Sequence, residues 1–139
     1  MKLRKLSHIG IAVDNLEESI KVFSKLLQIE TVETEEVKDQ MVRVAFFRVG
    51  DSSIELTEAT DPSSPIAKFI ERRGEGVHHL SFEVEDIEGE LARLKAAGFQ
   101  LVDEKPRSGA GGYRIAFLHP KSTNGVLIEI SEKLKSRPV

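Results

Sequence analysis

The chain has 139 residues, a net charge of −3 and no cysteine, with 40% apolar and 31% charged residues. That is the size and balance of one globular domain rather than of a disordered chain. Interspersed charge argues against a basic nucleic-acid face, and the missing cysteine excludes disulfides, thiolate nucleophiles and zinc-thiolate sites.

No apolar run approaches the roughly 18 residues of a membrane span, and Met1-Lys2-Leu3-Arg4 leads into a strand without a signal-type stretch, so the expected location is cytoplasmic. Leu6 to Val13 alternates, with Ile9, Ile11 and Val13 on one face and the small or polar His8, Gly10 and Ala12 on the other. Asp14 or Asn15 caps the helix that follows, and Leu16, Ile20, Phe23 and Leu27 give it one apolar stripe. Glu30 to Lys38 reads as a short exposed strand. Met41 to Val49 is a strong strand, Gly50-Asp51 a hairpin turn, and Ser53 to Glu58 the returning strand that carries Glu55.

Asp61-Pro62-Ser63-Ser64-Pro65 connects two halves, with Ser64 capping a helix that Pro65 opens and Gly74 stops after Arg73. Strand Val77 to Val84 then precedes a helix capped by Asp86, with Ile87, Leu91 and Leu94 on one face and Gly98 beyond its end. Phe99 to Val102 reads as a short strand and Gly109 to Gly112 as a glycine-rich loop. Tyr113 to Leu118 and Gly125 to Ser131 form a closing hairpin.

The second half repeats the first. GVHHLSFEVEDI, from Gly76 to Ile87, rewrites LSHIGIAVDNL, from Leu6 to Leu16, with His79 over His8 and Val84 over Val13. SSIEL around Glu55 and VLIEI around Glu129 pair in nearly the same register. The expected fold class is α+β: two paired βαβββ modules in a curved, barrel-like mixed sheet, helices outside and a metal site in the concave face. The modules cover about 5–60 and 76–133 of a single domain, with the connector helix at about 64–74. Alternation puts His8, Glu55, His79 and Glu129 on the side of the sheet away from the helices. A glutamate between apolar neighbours in a strand is costly without compensation, and two at equivalent positions suggest a cation. His78, opposite His79 by alternation, and His119 read as structural histidines. Arg43 and Arg114 match across the repeat on outer-face positions, and a structural role suits them.

SHIGIAVDNLEESIKVF, SPIAKFIERRGEGVHHLSFEVEDI and GAGGYRIAFLHPKSTNGVLIEI resemble the vicinal oxygen chelate superfamily, and within it the methylmalonyl-CoA epimerases. The resemblance implies one divalent metal held by His8, Glu55, His79 and Glu129. It also implies interconversion of (2R)- and (2S)-methylmalonyl-CoA by a 1,1-proton transfer through a metal-stabilised enolate. Two imidazoles and two carboxylates without a thiolate suit Co²⁺ or Mn²⁺, with Ni²⁺ or Zn²⁺ as alternatives. Glu129, and Glu55 by pseudo-symmetry, are the candidate proton carriers. Some members carry a further glutamate on the strand where this chain reads Val42-Arg43-Val44-Ala45, so a two-base scheme built there does not transfer. Lys105, Arg107, Arg114 and Lys121 are candidates for contact with the acyl-CoA thioester, and a homodimer is expected by analogy. Competing readings are a glyoxalase I-type lactoylglutathione lyase on the same four ligands, and a non-catalytic small-molecule-binding relative.

Overall fold

The computed structural model describes residues 3–134. Its elements run β1 (Leu3–Ala12), α1 (Leu16–Leu27), β2 (Glu33–Val37), β3 (Val42–Val49), β4 (Ser52–Ala59), α2 (Pro65–Arg73), β5 (Gly76–Val84), α3 (Ile87–Ala96), β6 (Arg107–Ser108), β7 (Tyr113–Leu118) and β8 (Ile128–Lys133). The strands form one mixed sheet in the order β2-β3-β4-β1-β5-β8-β7-β6. The described residues divide into two compact units, one of residues 8–79 and the other of 3–7 with 80–134.

In the first unit β1 runs parallel to β4, and β4-β3-β2 is an antiparallel meander. Asn15 caps α1 by accepting the backbone N–H of Glu18. The helix lays its stripe on the sheet, so Leu16, Ile20, Phe23 and Leu27 pack with Val13, Ala45, Phe47, Leu56 and Ile54. Ser64 caps α2 by accepting the N–H of Ile66, and Pro65 fills the first helical position, where a missing N–H costs nothing. β2 is exposed except at Val37.

The other unit repeats this plan. β5 runs parallel to β8, and β8-β7-β6 is antiparallel. Asp86 caps α3 through the N–H of Gly89. Ile87, Leu91 and Leu94 join Val84, Ala116, Leu118 and Ile130 in a core of the same composition. One polar device recurs as well. Glu58 accepts the N–H of Leu16 at 2.8 Å and pairs with Arg43, which also reaches Glu17. Glu132 accepts the N–H of Ile87 at 3.0 Å and pairs with Arg114, which also reaches Glu88. In each unit a strand glutamate satisfies a donor of the helix's first turn, and an arginine holds it there.

Two expected elements differ. Phe99 to Val102 makes only an isolated bridge, Leu101 to Leu118, and the ladder on β7 is Arg107–Ser108 instead. The reason is local: the N–H of Phe117 donates to the Asp103 carboxylate at 2.9 Å, so a side chain takes the place of a strand partner. The closing strand begins at Ile128 rather than Gly125, because Thr123 holds Val126 in a turn through both its hydroxyl and its carbonyl.

Candidate metal centre

The register of β1 and β4 sets Gly10 beside Glu55 and His8 beside Ser53. His8 and Glu55 therefore share the face that α1 does not cover, and they meet: His8 Nδ1 lies 3.0 Å from Glu55 Oε2. On its other side His8 Nε2 lies 3.0 Å from Nε2 of His79, on β5, with the two rings edge to face. The two histidines are buried, each about 8% exposed, and Glu55 is half-buried beside them.

Gly10 makes room for it. A Cβ at Gly10 would collide with Cε1 of His79 and stand 2.5 Å from its Nδ1 and 2.7 Å from its Nε2. Gly10 has no positive φ, so this glycine is needed for space and not for backbone freedom. The sequence showed Gly10 as one member of a small face; that a ring occupies the space is a three-dimensional fact.

Burial holds the His79 imidazole well below the ordinary histidine range, and positive charge on His8 or His78 would push it further down. His78 is pushed down to about 4 by burial alone. Both are neutral at physiological pH, the form in which imidazole binds metals. His78 turns to α2, where its ring meets the Phe69 edge with centroids 5.0 Å apart. Its Nδ1 nonetheless lies 3.0 Å from Nδ1 of His79. His119 caps a short turn by accepting the N–H of Lys121.

In the other unit Glu129 sits on β8, 4% exposed, with Ser81 and Phe117 as its register partners. The same face carries Ser81 hydrogen-bonded to Ser131, and a buried Glu83 held by the Tyr113 hydroxyl at 3.0 Å and Arg4 at 3.2 Å. Sequence reading missed this Arg4–Glu83–Tyr113 set; Glu83, two residues on from Ser81 and four from His79, was its only signal.

The four candidate cations do not form one set. Arg107, opposite Ile115 in the ladder, shares the Glu129 face and lies over the Phe117 ring with its carbon 5.6 Å from the centroid. Arg114 is on the helix side, committed to Glu88 and Glu132. Lys105 is exposed and lines an open groove of about 560 Å³ with Arg114, Leu91 and Lys95. Lys121 is exposed in the loop before β8.

The donor chemistry fits a divalent metal. Two nitrogens that each bind one ion at about 2.1 Å and at right angles are about 3.0 Å apart, and the two Nε2 atoms are 3.0 Å apart.

Residues 7–117 match the family described as the Glyoxalase/Bleomycin resistance protein/Dioxygenase superfamily. The uncharacterized Bacillus subtilis protein YqjC is 38% identical, covering 94% of this chain and 93% of that one. The ethylmalonyl-CoA/methylmalonyl-CoA epimerase of Cereibacter sphaeroides is 37% identical, covering 92% of this chain and 97% of its own. A solved Streptomyces coelicolor methylmalonyl-CoA epimerase, in complex with 2-nitronate-propionyl-CoA, superposes with a TM-score of 0.92 at 32% identity over 99% of both chains. The chain belongs to the methylmalonyl-CoA epimerase family of this superfamily. Membership makes it an enzyme of the racemase and epimerase class and confirms the paired-module fold class expected from the sequence repeat. Among the described residues no helix of this epimerase is long and apolar enough to cross a membrane.

Proposed function

We propose that the chain interconverts (2R)- and (2S)-methylmalonyl-CoA at a divalent metal held by His8, His79 and Glu129, while Glu55, expected from the sequence as a fourth ligand, supports His8 at its far nitrogen. The observation that carries this reading is the pair of buried imidazoles whose Nε2 atoms stand at the spacing of neighbouring ligands on one ion. His8 and His79, and in the other unit Glu129, are buried side chains of metal-ligating type. The names of relatives support the substrate class: the Cereibacter enzyme acts on ethylmalonyl- and methylmalonyl-CoA, and the Streptomyces structure carries a propionyl-CoA analogue.

The C2 proton of a malonyl thioester is acidified by the carbonyl and carboxylate on either side of it. When bound, a divalent metal supplies Lewis acidity to those oxygens. The protein's part is to hold the substrate and move the proton. Glu129 accepts it on one face and Glu55 returns one on the other, each a carboxylate at the matching place of its βαβββ repeat. The modules at about 5–60 and 76–133 thereby contribute one histidine and one glutamate each. Arg107, on the Glu129 face, is the cation best placed to meet an anionic part of the substrate; Lys105 and Lys121 are secondary candidates for the CoA phosphates, and Arg114, held by Glu88 and Glu132 on the helix side, is not. Co²⁺ or Mn²⁺ suits this nitrogen–oxygen set. The reading includes a homodimer, by analogy with the superfamily, and a cytoplasmic location.

Chelation and reconstitution test it. Protein stripped of metal is expected to lose methylmalonyl-CoA epimerisation and to regain it with Co²⁺ or Mn²⁺, and His79→Ala is expected not to regain it. Full activity after complete stripping would overturn the metal reading. Turnover of the methylglyoxal–glutathione hemithioacetal in its place would overturn the substrate.

A further inference from the structure

We infer that His78 is a positioning residue for the metal site: its Nδ1 accepts the Nδ1–H of His79 and so fixes the tautomer that leaves His79 Nε2 open to the ion. The inference rests on the metal reading above, and it concerns a residue that sequence alternation puts on the wrong face to take part.

The geometry is explicit. His79 presents Nε2 to His8 Nε2 and Nδ1 to His78 Nδ1, each at 3.0 Å. A neutral imidazole carries one N–H, so in the contact between His78 and His79 one ring donates and the other accepts. Coordination through His79 Nε2 needs the lone pair there, which puts the His79 proton on Nδ1. His78 must then accept at Nδ1 and carry its own proton on Nε2. The opposite arrangement would put the His79 proton on Nε2, pointing it at His8 and blocking the ligand atom.

His78 is itself held in place. Its ring meets that of Phe69 edge-on, at 88° between planes and 5.0 Å between centroids. Phe69 belongs to α2 and lies under the Arg73 guanidinium, 5.9 Å from its centroid. The connector helix thus fixes Phe69, Phe69 orients His78, and His78 sets the tautomer of His79. His8 has the corresponding support from a carboxylate, with Nδ1 3.0 Å from Glu55. Partners that hold the far nitrogen of a metal-binding histidine orient the ring and raise its basicity. Here one histidine is backed by an anion and the other by a neutral ring.

Two substitutions separate this role from packing. His78→Asn keeps an acceptor oxygen at the branch point where Nδ1 stands, and His78→Leu fills the space against Phe69 with no acceptor. Equilibrium dialysis with Co²⁺ is expected to show affinity reduced about 10- to 100-fold in His78→Leu and within about threefold of wild type in His78→Asn. Thermal melting of the metal-free variants reports folding separately. In Zn²⁺-loaded wild type, ¹⁵N histidine shifts are expected to show His79 protonated at Nδ1. Wild-type affinity in His78→Leu, equal losses in the two variants, or a His79 proton on Nε2 would each overturn the inference. If wild type binds no Co²⁺, the metal reading fails and this inference with it; Co²⁺ binding that His78→Leu leaves unchanged fails the inference alone.

Discussion

Gly10→Ala adds one methyl group at the point where the site has no space. The new Cβ would stand 2.5 Å and 2.7 Å from the two ring nitrogens of His79, where ordinary contact begins at 3.4 Å. Either the ring retreats by roughly 1 Å or β1 shifts, and overpacking of this kind costs about 1–3 kcal/mol. Retreat of the ring separates the two Nε2 atoms, now 3.0 Å apart. Expressed wholly as lost metal binding, that cost is roughly 5- to 150-fold in Co²⁺ affinity. Expressed as lost stability, it lowers the melting temperature of the metal-free protein by several degrees. Equilibrium dialysis and thermal melting on the same samples read both outcomes, and their sum is the predicted quantity. A Gly10→Ala protein with wild-type Co²⁺ affinity and wild-type melting would refute the placement of the His79 ring over Gly10.

Two further outcomes follow from the caps and the buried rings. Ser64→Ala removes the acceptor of the Ile66 N–H, from a side chain with no exposed surface, and is expected to cost about 1 kcal/mol with little change in metal affinity; chemical denaturation measures it. The His78 ring is pushed down from 6.5 to about 4 in the folded protein. The unfolded chain therefore takes up a proton that the folded one refuses, so this contribution is intact above pH 6.5 and lost as pH falls from there to 4. His79, shifted in the same direction, adds to it. Melting temperatures of the metal-free protein are expected to fall across that window and to fall less in His78→Leu; a flat profile contradicts the burial of these rings.

Much of the fold was legible because each element is punctuated. Asn15, Ser64 and Asp86 stand where polar side chains are needed to satisfy a helix start, and each takes the donor its position predicts. The module repeat was visible because it is written in residues with period-two constraints, and both helix-packed cores follow the alternation. Phe99 to Val102 misled because its apolar run satisfies the strand pattern, while the hydrogen bond that stops the ladder comes from the Asp103 side chain. In the site, alternation was enough to put His8, Glu55 and His79 on one side. It could not show that Glu55 reaches the far nitrogen of His8, or that His78 contacts His79 from across the strand. Those contacts depend on side-chain torsions, which no periodicity encodes. Arg114 was equally ambiguous in sequence, and the structure commits its guanidinium to Glu88 and Glu132 at the start of α3.

Exchange of the C2 proton tests the central claim most directly. One epimer of methylmalonyl-CoA is incubated in D₂O with the Co²⁺-loaded protein and followed by proton NMR. Loss of the C2 signal, with deuterium found in both epimers, is the predicted result, together with at least a hundredfold slower exchange in Glu129→Gln, in the range that removal of a general base costs. A Co²⁺-loaded wild-type protein that leaves the C2 proton in place would contradict the account.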